Sequence, residues 1–206
     1  KALSNPHRLE ILDLLCQGVR TVEELAQATF QPIANTSQHL QVLKRARLVV
    51  SDKQGLYVYY SIADEAVYEF WRALQKLGGS QLAEVQQVLH DYFYARDTLQ
   101  PMKSSELLEK VQTNQVMILD VRPSTEYQQG HIPGALSLPL SELEERLQEL
   151  PKEVEIVAYC RGPYCVMAPA AVEILQKHGF RARRLQEGLP DWRRAGFPIE
   201  RTRLDA

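Results

Sequence analysis

Ala158-Tyr159-Cys160-Arg161-Gly162-Pro163-Tyr164-Cys165-Val166 is the stretch on which the reading of this chain turns. The apolar run leading into it, Glu155-Ile156-Val157-Ala158-Tyr159, predicts a buried strand, and Val166-Met167-Ala168-Pro169-Ala170-Ala171-Val172-Glu173-Ile174-Leu175 predicts a helix. Cys160 therefore falls at a strand end, five loop residues before a helix. Backbone N–H groups are unpaired there and the helix dipole is positive. That environment favours thiolate over thiol, and the thiolate is the nucleophile. The plainer alternative is a small buried residue at a sheet edge, as free cysteines often are.

Two further stretches give the loop a context. Asp120-Val121-Arg122-Pro123-Ser124-Thr125-Glu126-Tyr127-Gln128-Gln129-Gly130-His131-Ile132-Pro133-Gly134-Ala135 lies upstream, and Gly188-Leu189-Pro190-Asp191-Trp192-Arg193-Arg194-Ala195-Gly196-Phe197-Pro198 lies downstream. With the cysteine loop they resemble the rhodanese (sulfurtransferase) domain over about residues 102–200. The resemblance implies an α/β domain with a central parallel sheet and makes Cys160 the sulfur-carrying cysteine, cradled by loop amides. A related group of phosphatases and arsenate reductases uses Cys-x5-Arg, whose arginine clamps a tetrahedral oxyanion. Here that position is Val166, so phosphate-ester hydrolysis is not expected. Arg161 is the loop's one cation. It can lower the Cys160 pKa or hold an anionic sulfur donor, and a solvated surface arginine is an equal alternative. Cys165 is the second unusual feature. A second thiol can resolve a persulfide into a disulfide or a sulfur-bridged link; the alternative is a buried cysteine at a helix start. Sequence does not place the two Cα atoms within bridging distance.

The chain has 206 residues, enough for one large or two small domains, and its 45% hydrophobic and 24% charged content is ordinary for globular protein. The net charge of −2 gives no global basic field, so any DNA site must be a local patch. No run approaches membrane-spanning length. No signal-peptide pattern opens the sequence, although Lys1 in place of methionine suggests a trimmed start. Three cysteines, two of them in one loop, do not make a secreted disulfide framework. The loop chemistry needs reduced thiols, so a cytoplasmic protein is expected.

The N-terminal half opens with a helix capped by Asn5, with Pro6 at its first position, striped by Leu9, Ile11, Leu12 and Leu15 and ended by Gly18. Cys16 near its end is expected to pack. Thr21-Val22-Glu23-Glu24 is a capping-box start. Phe30-Gln31-Pro32 breaks that helix, and a second runs from Ile33 or Asn35 to Arg47, so the pair reads as helix-turn-helix. On the second helix Leu40, Leu43 and the stem of Arg47 share one side, with Thr36 beside them. The other side carries Ala34, Gln38, Gln41, Val42 and Arg45, flanked by Ser37 and Lys44. Amides read adenine edges, arginine reads guanine, and cations neutralise phosphates. His39 projects sideways. An ordinary amphipathic helix is the alternative. A β-hairpin follows, Leu48 to Ser61, with Asp52-Lys53-Gln54-Gly55 as its turn, and Lys53 is expected at its tip on a phosphate. Residues 35–53 hold four cations (Lys44, Arg45, Arg47, Lys53) against Asp52.

Leu3 to Leu12, Ser37 to Lys44 and the wing resemble the ArsR-type winged-helix repressors over about residues 1–95. The resemblance implies a homodimer that binds double-stranded operator palindromes and releases them on sensing a metal or a reactive small molecule. Metal-sensing members often carry Cys-x-Cys in the helix before the recognition helix. Val22 to Ala28 has no cysteine, so no metal is expected there. Beyond the wing, Val67, Phe70, Trp71, Leu74 and Leu77 stripe one helix, capped by Asp64 and stopped at Gly78-Gly79. Leu82, Val85, Leu89, Tyr92 and Phe93 stripe another, capped by Ser80. These stripes exceed what so small a domain buries, which predicts a dimer interface, with contact to the second domain as the alternative.

In the second half, Ser104 or Ser105 is expected to cap a helix to Val111, Gln115 to Asp120 to form a strand, Ser141 to Leu150 a helix, and Phe180 to Leu185 a last strand whose basic residues are solvated. Asp120 with Arg122 is expected as a structural ion pair, and Glu126 and His131 as folding or supporting residues. The expected architecture is an α+β winged helix-turn-helix domain (1–97), a linker (98–103) and an α/β rhodanese domain with a central parallel sheet (104–206). The expected function is a sulfur-responsive repressor. Cys160, Arg161 and Cys165 meet a persulfide, polysulfide or thiosulfate-like donor; Ser37, Gln38, Gln41, Lys44, Arg45 and Lys53 meet DNA; no cofactor, metal or membrane is involved. A sulfurtransferase enzyme carrying a DNA-binding domain and a thiol-based arsenite or metal sensor are the alternatives.

Overall fold

The structure is a computed structural model, described for residues 1–89, 101–113 and 115–202. Tyr92 and Phe93 of the last N-terminal stripe, and residues 98–100 of the expected linker, lie outside the described residues. The chain divides into two compact units, Lys1–Val85 and Gln86–Ala206.

In the first unit α1 (Pro6–Gln17) begins as expected: the Asn5 side chain accepts from the Arg8 amide at 3.2 Å. A two-residue strand that the sequence did not signal, β1 (Arg20–Thr21), leads into α2 (Val22–Ala28). The Thr21–Glu24 capping box forms in both directions, at 3.3 and 2.7 Å. α3 (Ile33–Arg45) buries Thr36, Leu40 and Leu43. β2 (Val49–Gln54) and β3 (Tyr57–Ile62) form the wing, in an antiparallel sheet ordered β1-β3-β2.

Three details differ from expectation. The wing turn is Gly55-Leu56, since Gln54 pairs with Tyr57; Gly55 takes the left-handed φ of +61° that this tight turn needs. Lys53 therefore stands within β2, opposite Val58, rather than at the tip. Helix α3 ends at Arg45, and Arg47 lies beyond it at φ +58°, exposed, so its stem is not part of the buried stripe. Finally, α4 (Glu65–Gln81), capped by Asp64, runs through Gly78-Gly79 before α5 (Ala83–Leu89). Each helical glycine costs about 1 kcal/mol relative to alanine, which the surrounding turns outweigh; Leu82 N–H still bonds to the Gly78 carbonyl at 3.1 Å. Val67, Tyr68 and Trp71 pack on α1, the strands and α3, while Phe70 and Leu77 remain exposed. Asp13 ties α1 to α4 by accepting from the Trp71 indole at 2.7 Å and from Gln75 at 3.1 Å.

The second unit contains α6 (Ser104–Gln112), β4 (Val116–Asp120), α7 (Ser124–Gln129), β5 (Leu136–Ser137), β6 (Glu155–Tyr159), α8 (Met167–Lys177), β7 (Ala182–Arg184) and α9 (Leu189–Arg194). The four strands form one parallel sheet, ordered β5-β4-β6-β7. Alternate β6 residues enter different apolar clusters: Ile156 and Ala158 one, Val157 and Tyr159 the other. Both faces are covered, which explains strands that are apolar without alternation. Asp120 pairs in register with Tyr159, so the carboxyl ends of β4 and β6 open side by side, where ligand sites of α/β sheets collect.

The helix expected over 141–150 is instead two 3-10 turns, Leu140–Glu142 and Leu147–Glu149. Pro139 and Pro151 bound this segment, and the Leu140 amide donates to the Val121 carbonyl at 3.1 Å. Neither Ser104 nor Ser105 caps α6. The cap position is Lys103, and Ser104 gives its amide and hydroxyl to the Glu187 carboxylate at 3.1 and 3.0 Å. The basic run at β7 is not simply solvated: Arg183 pairs with Glu106 at 2.7 Å and Arg184 is buried. Met102 is fully buried and bonds to that strand's continuation through Arg184 and Gln186, each at 2.8 Å.

Candidate functional site

The cysteine loop joins β6 to α8, and its two thiols occupy different environments. Cys160 is only 3% exposed and packs in the same apolar cluster as Ala158 and Ala168. Its Sγ lies 3.7 Å from the Cys165 carbonyl and 3.9 Å from that of Gly162. Cys165 is half-buried. Burial pushes the Cys160 thiol well above the ordinary range, and the hydrogen bond and charge of Cys165 push the same way, against the Gly162 and Ala168 amides. Cys165 moves the opposite way, from 9.0 to about 7. The hydrogen bond from Cys160 is the main cause, opposed by burial and aided by the Met167 and Arg161 amides and the Arg161 charge. The expectation of a thiolate at Cys160 is thus corrected. The residue that follows the strand sits on the core side, where desolvation works against its thiolate and outweighs the loop amides.

Arg161 is neither a loose surface cation nor aimed at Cys160. Its guanidinium holds Glu126, with Nη2 2.6 Å and Nε 3.1 Å from Oε1. Glu126 is buried at the start of α7, 3.9 Å from Arg122. Arg122 in turn is clamped by Asp120, Nε to Oδ1 at 2.9 Å and Nη2 to Oδ2 at 2.5 Å, and donates to the Gly130 carbonyl at 2.8 Å. The Tyr159 hydroxyl donates to Asp120 at 2.5 Å, and burial raises its pKa. The Asp120–Arg122 pair is therefore the brace expected of it, and Glu126 extends that brace into the cysteine loop. His131 is buried, its ring stacked on Tyr127 at 3.7 Å.

One residue with a direct bearing on the loop escaped sequence reasoning. Gly188 lies so close behind it that a Cβ there would stand 2.2 Å from the Arg161 carbonyl oxygen and 2.5 Å from the Gly162 nitrogen. Leu189, the next residue, donates its amide to the Cys160 carbonyl at 3.4 Å. A glycine opening a helix-start pattern was the one available signal. A groove of about 400 Å³ also opens at this end of the sheet, between Ser124-Thr125, Pro139 to Glu142, and Met167 at the head of α8.

On the first unit, α3 exposes Gln38, Gln41, Lys44 and Arg45, with Ser37 partly exposed and Lys53 exposed on β2. Lys44 Nζ reaches Ser51 of the wing at 2.6 Å, tying the helix to β2, and Arg45 Nε returns to the Gln41 carbonyl at 3.3 Å. His39 packs: its ring stacks on His7 at 5.9 Å, and burial lowers its pKa. Cys16 is buried, which pushes its thiol up to about 12 and makes it unreactive. Among the described residues no group of three or more His, Cys, Asp or Glu is placed to hold a metal, and no helix is long and apolar enough to cross a membrane.

Residues 5–51 match the family described as bacterial regulatory protein, arsR family, and residues 103–195 match the rhodanese-like domain. Across 97% of its length the chain is 44% identical to the HTH-type transcriptional regulator Rv0324 of Mycobacterium tuberculosis, covering 88% of that protein. The chain belongs to the ArsR family. It is a transcriptional regulator with an ArsR-type DNA-binding domain and a C-terminal rhodanese-like domain. Its rhodanese half is 37% identical over 87 residues to a protein named sulfurtransferase from Allochromatium vinosum, covering 42% of this chain and 80% of that one. Its winged domain aligns at 41% identity with the solution structure of the homodimeric winged helix-turn-helix DNA-binding domain of Mb0332 from Mycobacterium bovis. That alignment has a TM-score of 0.39 and covers 40% of this chain and 77% of the other.

Proposed function

We propose that this ArsR-family regulator is a repressor whose rhodanese-like domain senses reactive sulfur species. The sulfur arrives from a persulfide, polysulfide or thiosulfate-like donor, and the Cys160–Cys165 pair converts it into a persulfide or a disulfide. The supporting observation is the pair itself: two thiols in one loop, with the Cys160 Sγ 3.7 Å from the Cys165 carbonyl, in a chain whose other domain is of the ArsR DNA-binding type. A single cysteine suffices for sulfur transfer; a second thiol in the same loop supplies a means to lock the modified state. Gln38, Gln41 and Ser37 face base edges, and Lys44, Arg45 and Lys53 face phosphates, in a homodimer on a palindromic operator. Modification shifts the balance between DNA-competent and DNA-incompetent states, and a tenfold change in operator affinity needs only about 1.4 kcal/mol of differential stabilisation.

The test uses an operator isolated by selection from random duplex DNA. Reduced full-length protein is expected to bind it, to lose at least tenfold in affinity after polysulfide treatment, and to recover with dithiol reductant. An affinity that polysulfide leaves unchanged refutes sensing. The likeness to a protein named sulfurtransferase keeps an enzymatic reading in view. Sulfur turnover that survives Cys165→Ser, together with DNA affinity indifferent to sulfur, favours that reading instead.

A further inference from the structure

The two helices of the helix-turn-helix close with the same backbone motif. After α2 the Phe30 amide donates to the Gln27 carbonyl at 3.3 Å and the Gln31 amide to that of Ala26 at 3.0 Å. After α3 the Arg47 amide donates to the Lys44 carbonyl and the Leu48 amide to that of Leu43, each at 3.0 Å. Both are Schellman closures, whose turning residue adopts the left-handed conformation and is usually glycine. Here the turning residues are Phe30, at φ +52°, and Arg47, at φ +58°; among the described residues no other non-glycine has a positive φ. The rhodanese-like unit closes α8 and α9 with the same paired bonds, and there the turning residues are Gly179 at φ +82° and Gly196 at φ +79°. A Cβ strains this conformation, most of all in a bulky residue. The chain thus avoids the strain behind α8 and α9 and accepts it on both flanks of the recognition helix.

Packing does not account for the choice. Phe30 is 94% exposed, and Arg47 is exposed as well. We propose that both side chains are kept for DNA: Phe30 makes an apolar contact with the C5-methyl group of a thymine in the major groove, and Arg47 meets a phosphate. The N-terminal residues of a recognition helix are those that approach base edges. Phe30 stands three residues ahead of Ile33, the first residue of α3, which is itself 53% exposed, so this helix presents an apolar leading edge. No Lys, Arg, Asp or Glu occurs between Glu24 and Lys44. That end of the helix has no cationic side chain for a phosphate, and the base feature a phenyl ring reads is the thymine methyl. At the other end Lys44, Arg45 and Arg47 are exposed together, with the charge that phosphates require. The assignment rests on the ArsR-type DNA-binding domain and is independent of sulfur chemistry at the loop.

The experiment uses reduced full-length protein and an operator selected with it from random duplex DNA. Thymines are replaced one at a time by uracil, which removes only the methyl group. Wild type is expected to lose about fourfold in affinity at one thymine of each half-site, the effect of one buried methyl. Phe30→Gly is expected to bind the unmodified operator at least fourfold more weakly and to be indifferent to uracil at that position. Arg47→Gly is expected to lower the slope of log affinity against log salt by about 1 for each protomer bound, with the uracil profile unchanged. Both variants relieve a left-handed side chain and uncover nothing buried, so each should melt no lower than wild type. That sign separates lost DNA contact from lost folding.

A variant that melts lower assigns its side chain to the fold and overturns its half of the proposal. Phe30→Gly with wild-type affinity and the wild-type uracil profile overturns the thymine contact, and an unchanged salt slope in Arg47→Gly overturns the phosphate contact. Wild-type protein that selects no duplex removes the operator reading and this assignment with it.

Discussion

Replacing Gly188 by alanine should disable the cysteine loop from behind without touching either thiol. The added Cβ would lie 2.2 Å from the Arg161 carbonyl oxygen, 2.3 Å from its carbon and 2.5 Å from the Gly162 nitrogen, all backbone atoms that cannot rotate away. Ordinary contact begins near 3.4 Å, so β6's extension and the segment opening α9 must separate by about 1.2 Å. Overpacking of this kind costs about 1–3 kcal/mol, and each kcal/mol lowers the melting temperature of a domain this size by about 4–8 °C. The 3.4 Å bond from Leu189 to the Cys160 carbonyl is already long and should be lost. A displacement of about 1 Å in a reacting group can cost on the order of a hundredfold in rate. The assay is the rate of donor-dependent thiol loss in full-length protein, read beside thermal melting and operator affinity in the reduced state. Sulfur uptake should fall by one to two orders of magnitude and the rhodanese-like unit should melt lower, while reduced operator binding, carried by a separate core, stays within about twofold. Wild-type uptake and melting in Gly188→Ala would refute the argument that this glycine is kept for the close approach.

Other perturbations reach the site by different routes. Glu126→Gln removes the charge that Arg161 meets at 2.6 Å inside a buried network, so stability should drop by roughly 2–3 kcal/mol in denaturant titration, and iodoacetamide should label Cys165 more slowly as Arg161 drifts. A stability unchanged within about 0.5 kcal/mol would show that Glu126 is not a structural anchor. The pH dependence has a definite sign. Cys165 is depressed to about 7, so its alkylation rate should rise with pH, reach half its plateau near pH 7 and fall about tenfold per unit below pH 6. A midpoint near 9.0 would mean that Cys160 and Arg161 do not act on it. On the DNA side, Lys53→Ala should weaken binding similarly for all sequences and reduce the slope of log affinity against log salt by about 1, whereas Gln41→Ala should leave that slope alone and relax base preference. Equal salt slopes for wild type and Lys53→Ala would remove the lysine from the phosphate contacts.

The architecture was legible because its signals are local. Thr21 and Glu24 form the expected box, Asn5 caps α1, and the apolar run 155–159 becomes the central strand. What sequence misplaced depended on partners distant along the chain. The wing turn fell at Gly55-Leu56, with Lys53 paired to Val58, a register set by the turn and by which face of the hairpin is buried. The 141–150 segment folds as 3-10 turns, with its start held by the bond from the Leu140 amide to the Val121 carbonyl. At the site the pattern was the same: sequence placed both thiols in one loop but not the burial that works against a thiolate at Cys160. The helix-end argument considers what stabilises an anion, and its amides do act on Cys160. It omits what the strand does, which is to carry the residue at its end onto a covered face of the sheet, where losing water costs more than two amides return. Cys165 lies beyond the strand, where burial still raises its thiol but is outweighed by Cys160, the Met167 and Arg161 amides and the Arg161 charge. The acidity of one thiol and the burial of the other are one arrangement. The two thiols of the loop shift in opposite directions because the strand end carries one of them more deeply into the core than the other.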